Sequence, residues 1–578
     1  MSDGSFRPQR VQLSPMSPRV YNGFLLIVAG LGGLLYGIDV GIIGGVLPYL
    51  TATTGFSPAQ LSIVVAAVLL GTVFSTLFAG ALADWIGRKW LMTATGALFC
   101  VSVPLIALAH GFDALVGGRL LQGISGGLIG VVVPLYLAEC LNEKDRGKGT
   151  GLFQLLLVVG IVLSSLIALY FSHELAGIAT SASAATIFAF KDHAWRSTFW
   201  ISFPFGLLFT FGTLALAESP RWLAIRAQGP LKDRAPREHG TLLQRKYVIP
   251  FLLACVILTC NQLTGINSII PYNTTILLQA GLNDYWAHVG SLLFNFVNLL
   301  LTIVAVLLVD RVGRKILLTV GSAGIILSLL ATGVLFHRTE ARHVDVTAAV
   351  ARMVKPDQTL TLRFDRATAN RLLTSVGAAA NGGAESLVIG YAYGDFSSVT
   401  NAVRSDEVTT PIEIRRNVPA NRIEAILSGS ASSPFGNIEA ARSAPLRIIS
   451  AYITPVPPAS NGWLVALTLY LFMAFFAVGP GVVVWLALSE LMPTRIRSNG
   501  MSIALVLNQA TSTTIAAIFL PTVARHGYAS MFFVFAACTV VYFITAAFFL
   551  PETKGRTLEE IEERFEGRYA RATSKASG

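Results

Sequence analysis

The sequence predicts an all-α membrane protein whose twelve spanning helices fall into two copies of a six-helix unit, with an inserted region on the outer side between helices 9 and 10. Three observations carry this. Hydrophobic residues make up 53% of the 578 and charged residues only 13%, at a mean hydropathy of +0.63, and so few charges cannot clothe a soluble surface. Apolar stretches of about 20 residues, enough at 1.5 Å per residue to cross a roughly 30 Å hydrocarbon core, recur along nearly the whole chain. The segment DWIGRK at 84–89 returns as DRVGRK at 310–315.

The spans are expected near 21–50, 61–80, 90–110, 114–138, 150–172, 198–217, 247–278, 289–309, 316–336, 462–488, 499–521 and 530–550. The first is too long for a signal peptide and lacks a small-residue cleavage site, so it is retained. With the amino terminus inside, 26 Lys and Arg residues fall in the inner segments, whereas the short outer loops hold only Lys191, Arg196 and Arg525. This asymmetry is the positive-inside signature and requires an even number of crossings. It also accounts for the net charge of +11, leaving no call for a nucleic-acid partner. The domain order is a cytoplasmic tail (1–20), a first bundle (21–217), a cytoplasmic linker (218–246), helices 7–9 (247–336), an extracytoplasmic insertion (337–461), helices 10–12 (462–550) and a cytoplasmic tail (551–578). The five cysteines lie in or beside apolar spans without metal-ligand spacing and read as packing residues.

Each repeated turn sits between the second and third spans of its half. Glu139 precedes Arg146 by seven residues, as Glu490 precedes Arg497. Asp84 to Glu139 is 55 residues but Asp310 to Glu490 is 180, so the second half carries about 125 extra, matching the polar stretch. That stretch holds 13 basic and 11 acidic residues. Within it TLTLRF (360–365) and SLVIGYAYG (386–394) read as strands and RIEAILSG (422–429) as a helical turn, which favours a small folded domain over a disordered loop.

Only Asp39 and Arg119 place charge deep in a span, where ionisable groups are costly and usually functional. Both lie roughly 22 Å above the inner face, at one depth, and can pair. Such a pair is either a proton-coupling element, in which the carboxylate exchanges arginine for a proton, or a static lock between helices 1 and 4. The glycines in GGLLYGIDVGIIGG (32–45) and GRLLQGISGGLIG (118–130) permit close helix approach.

The segments GRLLQGISGG (118–127), PLYLAEC (134–140), ESPRWL (218–223), NQLTGIN (261–267), DRVGRK (310–315), VGPGVVVWLALSELMP (478–493) and PETKG (551–555) resemble, in order and spacing, the sugar porter family of the major facilitator superfamily. The resemblance covers everything outside the insertion and the tails. It implies the major facilitator fold and secondary transport of a monosaccharide or polyol by alternating access. It implies sugar contacts at Gln154, Gln262, Asn267, Asn298, Trp485 and Asn508, with Asn261 and Tyr36 beside them. Amides inside spans are expensive unless hydrogen-bonded, which suits a ligand cavity at the midplane. Asp84, Arg88, Lys89, Glu139 and Arg146, with Arg314, Lys315, Glu490 and Arg497, resemble the cytoplasmic salt-bridge network of the outward-facing state. Gly265 with Pro271, and Gly479, Pro480 and Gly481, are expected to break helices 7 and 10 as gates. Asp39 stands at the position that is acidic in proton-coupled members, and Arg119 at the family arginine, so symport is expected.

Several positions depart from the family pattern. Asn261 stands for a glutamine, Pro271 for a tyrosine, Val482 and Val484 for prolines, and Gln509 for a common tryptophan, which leaves hexose, pentose and polyol all open. An uncoupled facilitator or a non-transporting sugar sensor are the alternatives. Enzymatic chemistry finds no nucleophile with a base, no metal cluster and no phosphate loop, so no cofactor or metal is implied. The expected partners are the sugar or polyol, protons and membrane lipid. The chain is expected to act as a monomer in the plasma or bacterial inner membrane, with both termini cytoplasmic.

Overall fold

A computed structural model describes residues 18–179, 181–227, 245–379, 383–407, 411–416, 437–484, 491–492, 496–552 and 554, and only the backbone of 143–147, 225, 245–246, 310, 497–499 and 502 among them. The first half contains α1 (Pro18–Thr54), α2 (Pro58–Ile86), α3 (Arg88–Ala107), α4 (Phe112–Cys140), α5 (Glu143–Ile178) and α6 (Ala184–Leu214). A short α7 (Pro220–Ala227) follows, then α8 (Arg245–Leu263), α9 (Ile266–Gln279), α10 (Asp284–Val312) and α11 (Arg314–Glu340). Helix starts follow local chemistry. Ser57 and Gln60 form a reciprocal capping box on α2, with Pro58 in its first turn, and the Asn283 side chain accepts from the Trp286 amide at the start of α10.

The described residues of 337–461 are folded, and both strand-like segments contain strands. β1 (Val344–Asp345), α12 (Thr347–Ala351), β2 (Leu360–Leu362), α13 (Arg366–Ser375), β3 (Glu385–Tyr393), β4 (Phe396–Val399), β5 (Val403–Arg404), β6 (Ile412–Ile414), α14 (Ile438–Ser443) and β7 (Leu446–Pro455) succeed one another. One antiparallel sheet has the order β1-β7-β3-β4, with β5 on β3, and β2 pairs with β6. Leu372 and Leu373 of α13 pack with Leu387, Ile389 and Ile453 in a core separate from the bundle. The segment RIEAILSG lies outside the described residues.

The bundle resumes with α15 (Ala459–Phe476), continues into a π-helical turn (Ala477–Gly481) and ends in α16 (Arg497–Ile544). Among the described residues, eleven helical stretches are long and apolar enough to cross a membrane. The last, Ile503–Phe549, has 47 residues and consists of two helices joined at a kink at Gly527, where φ is 81°. Large apolar side chains such as Phe74, Phe78, Phe211, Leu307 and Leu327 are exposed on the outside of the bundle, an arrangement suited to lipid and costly in water. Helices α5 and α6 extend further than the hydropathy pattern suggests, placing Lys191 and Arg196 within α6.

Glycines set the tightest contacts. A Cβ on Gly37 would sit 1.8 Å from Leu157 O, and one on Gly160 would sit 2.3 Å from Leu34 O, so α1 and α5 approach backbone to backbone. Between the halves α2 packs on α16, α5 on α10 and α1 on α9. One apolar cluster, containing Val46, Tyr49, Leu61, Tyr272, Phe472 and Phe519, joins both halves at the end that carries the insertion. Toward the opposite end each half keeps its own cluster, around Phe99 and Tyr136 in the first and around Leu258 and Leu318 in the second.

Candidate functional site

Asp39 of α1 and Arg119 of α4 meet inside the first half. Arg119 Nη1 donates to Asp39 Oδ1 at 3.3 Å, and their side chains are 1% and 2% exposed, so desolvation makes the pairing obligatory while both are charged. The same Nη1 donates to Gln122 Oε1 at 2.7 Å, and the guanidinium lies 5.7 Å from the Phe199 ring of α6. Asp39 Oδ2 is buried without a protein partner. A Cβ on Gly126 would stand 3.1 Å from that oxygen and 3.2 Å from the Tyr36 ring, so this glycine clears the space around the carboxylate. Gln122 has no place in the sequence expectations. Its signal was a polar residue one turn beyond a buried arginine on the same helix face.

The second half gathers amides where its first helix breaks. Helices α8 and α9 are separated at Thr264 and Gly265, the latter at φ +86°. A Cβ there would lie 2.4 Å from the Phe535 ring, so both backbone and space require glycine. Pro271 does not break the chain: α9 runs through it from Ile266 to Gln279. The sixth position of a helix forfeits one hydrogen bond at proline, but neighbouring helices hold the segment straight enough to continue. Gln262 Nε2 donates to Asn508 Oδ1 at 3.1 Å, and Asn267 Nδ2 donates to Gln262 Oε1 and Ser512 Oγ, both at 2.8 Å. Asn508 Nδ2 donates to Leu258 O at 3.0 Å, and Asn261 Nδ2 to Pro480 O at 3.4 Å. The amides therefore tie α8, α9, α16 and the π-helical turn into one polar cluster.

Gly479, Pro480 and Gly481 form that π-helical turn, a widening common at functional sites. A Cβ on Gly479 would be 2.7 Å from Leu317 O. Gln154 is exposed on α5, in the first half. On α10 it is Asn295 that is buried, donating 2.7 Å to Ser165 Oγ of α5 across the two halves. Asn298, one turn on, accepts from Thr302 Oγ1 at 3.3 Å. Trp485 lies outside the described residues.

The repeated turn recurs in backbone geometry. Gly87 has φ 104° and ψ 152°, Gly313 φ 102° and ψ 155°, a combination essentially confined to glycine. Glu218 accepts from the Lys89 amide at 3.0 Å. Glu552 accepts from the Arg314 and Lys315 amides at 3.0 and 3.1 Å. A carboxylate thus caps the positive end of α3 and of α11. Arg88 bridges Asp84 at 2.9 Å and Glu139 at 3.0 Å, and Ser219 Oγ donates to Glu139. These bonds lie within the first bundle and the start of the linker. The side chains of Arg146, Glu490 and Arg497 lie outside the described residues. Glu218 and Glu552 stood in recognised segments, but amide partners leave no mark in a sequence.

At the insertion-bearing end the halves touch through polar groups as well. Tyr272 OH of α9 donates to Ser62 Oγ of α2 at 3.2 Å. Tyr49 OH of α1 donates to Asp284 Oδ2 of α10 at 3.0 Å, and His288 of α10 lies 3.2 Å from Gly45 O. Two helical bundles with a polar, glycine-lined interior and side chains poised between them define a multi-pass membrane transporter.

The chain belongs to the family described as "Sugar (and other) transporter", whose profile matches residues 25–236, 228–354 and 443–565; most of the insertion falls in the gap. It is a member of the sugar porter group of the major facilitator superfamily, and its relatives are transporters, not enzymes. It is 25% identical over 569 residues to a glucose transporter of Staphylococcus epidermidis, covering 94% of this chain and 97% of that one. It is 24% identical to facilitated glucose transporter member 12 of solute carrier family 2 from Mus musculus, covering 94% and 85%. The crystal structure of a D-xylose-proton symporter superposes with a TM-score of 0.62 at 20% identity, covering 93% of this chain and 100% of that one. That likeness establishes the major facilitator fold.

Proposed function

We propose that the protein imports a monosaccharide or polyol across the cell membrane by alternating access, coupled to a proton. The observation that carries the coupling is the buried Asp39–Arg119 pair, with Gln122 already on the same guanidinium nitrogen. Protonation of Asp39 removes the attraction that joins α1 to α4, and Gln122 remains to hold Arg119 in place. The loosened helices then shift against each other, and the bundles part at one end while closing at the other. The sugar sits between Gln154 on the first half and the Gln262, Asn267 and Asn508 cluster on the second. It exchanges amide-amide bonds for its own hydroxyls, which keeps every buried group paired. The distribution of Lys and Arg supports a topology with both termini in the cytoplasm and the insertion outside. Names of the relatives, glucose transporters among them, favour a sugar cargo.

The test is uptake of radiolabelled sugars and polyols into proteoliposomes with and without an inward proton gradient. Accumulation above equilibrium only with the gradient supports symport. Equilibration indifferent to the gradient makes the protein a facilitator and Asp39–Arg119 a structural lock. Binding without any flux makes it a sensor.

A further inference from the structure

Between the insertion and the bundle lies a cavity of about 590 Å³, within the range of small-molecule sites. Its roof comes from Tyr391 of β3, Ser398 of β4 and Asn401 beyond it, and its floor from Thr51 and Thr54 of α1 and Thr275 of α9. It is thus built from both halves of the bundle and from the segment that the family profile skips.

The lining selects a ligand class. Thr51 and Thr54 donate their hydroxyls to Leu47 O and Leu50 O, each at 2.8 Å; Thr54 Oγ1 also accepts from the Phe56 amide at 3.4 Å, so Thr51 Oγ1 is the better placed of the two to accept from a ligand. Thr275 Oγ1 is buried and has no protein partner, so a ligand hydroxyl there would satisfy a group that is otherwise costly. Tyr391 adds an aromatic side chain to the same lining. Charges on the wall neutralise each other: Arg404 faces Glu407 at 3.5 Å and Arg415 faces Glu413 at 2.7 Å. An anion or cation would have to break one of these pairs, whereas a neutral polyol would not.

We infer that this cavity is a second carbohydrate site, taking a neutral mono- or disaccharide at the mouth of the transport path. The choice of carbohydrate over another neutral polar ligand rests on the sugar-transport reading; the existence of the site does not. It offers what a sugar requires, one apolar face and a ring of hydroxyl and amide partners.

The test is hydrogen–deuterium exchange of the full-length protein in nanodiscs, titrated with D-glucose or D-xylose. Peptides covering 48–60 and 391–404 should gain protection in the wild type and equally in Gln262→Ala, whose amide cluster is broken. Two substitutions should weaken it: Ala402→Trp fills the cavity from a loop and abolishes the protection, and Thr275→Val raises the half-maximal concentration about fivefold or more. Monodisperse elution checks that each variant is folded. Protection at these peptides that disappears in Gln262→Ala would overturn the inference, because the signal would then be transmitted from the central site. Protection confined to peptides bearing Gln262 and Asn508 would overturn it as well, and leave the transport reading intact. Cavity protection without flux in proteoliposomes would instead remove the transport reading and support the site.

Discussion

Asp39→Asn separates coupling from transport, because the substitution keeps the side-chain shape and removes only the charge. One pH unit across the membrane supplies about 1.4 kcal/mol per proton, so a one-proton symporter can concentrate its sugar up to about tenfold. The variant should reach a ratio of about one under the same gradient while still exchanging internal for external sugar in counterflow. The structure also sets a stability cost. Asp39 and Arg119 are 1% and 2% exposed at the side chain, and removing one partner of a buried pair typically costs about 3–5 kcal/mol. Gln122, bonded to the same Nη1 at 2.7 Å, should hold the loss to about 3 kcal/mol. Adding Arg119→Leu removes the stranded charge and should recover most of that loss. Accumulation and counterflow are measured in proteoliposomes, and stability by thermal melting in detergent. Retained uphill accumulation in Asp39→Asn would refute the coupling role, and a double variant no more stable than the single would refute the electrostatic account.

Gln262→Ala removes one hydrogen-bond partner each from Asn508 and Asn267 and one proposed sugar contact; a lost pairing costs about 1–3 kcal/mol, so the uptake KM should rise roughly tenfold or more. Gly87→Ala and Gly313→Ala force a side chain into the same glycine-only backbone conformation, and each should lower stability by about 1–3 kcal/mol, a near-equal pair of losses in thermal melts. Arg404 Nη1 donates to Leu278 O at 3.0 Å and Leu282 O at 3.2 Å; Arg404→Ala should loosen the insertion, read as faster trypsin cleavage within it. Burial pushes the Glu385 carboxyl above its ordinary value, so its ionisation opposes folding. The penalty is absent below the ordinary carboxylate pKa and grows as pH rises through the shifted one. Glu385→Gln should therefore raise Tm at pH 8 and leave it unchanged at pH 4.

What the sequence displays depends on whether the chemistry is local. The paired turns are legible because Gly87 and Gly313 each sit inside a six-residue segment that must bend in one way. Asp39 and Arg119 are legible because charge is conspicuous in an apolar run, and their matching depth follows from counting residues. Asn295 and Asn298 are a different matter. They are three residues apart on α10, and only the rotation of that helix against α5 decides that Asn295 meets Ser165. A helix that is apolar nearly all round carries no stripe from which that rotation could be read. Pro271 misleads for a related reason: proline signals a break in isolation, while the actual break at Gly265 is set by the Phe535 ring against it.

The insertion is fastened to the two halves unequally, and the inequality fixes how it must travel. To the first half, among the described residues, Asn401 Nδ2 donates to Phe56 O at 2.6 Å, a neutral bond of about 0.5–1.5 kcal/mol net, and Lys191 of α6 attracts the Glu407 carboxylate of the insertion. To the second half it is continuous with α11 and α15, and the guanidinium of Arg404, 7% exposed at the side chain, bonds two carbonyls at the end of α9 at about 1.5–3 kcal/mol each. On the alternating-access reading, when the halves rock apart at this end the non-covalent contacts to the first half yield, because the chain itself joins the insertion to α11 and α15. The insertion then moves with the second half, and the Thr51 and Thr54 side of the cavity is drawn away from the Tyr391 side. A sugar held there meets its full set of partners only while the two halves touch at this end, so its occupancy favours that state over the one in which they part.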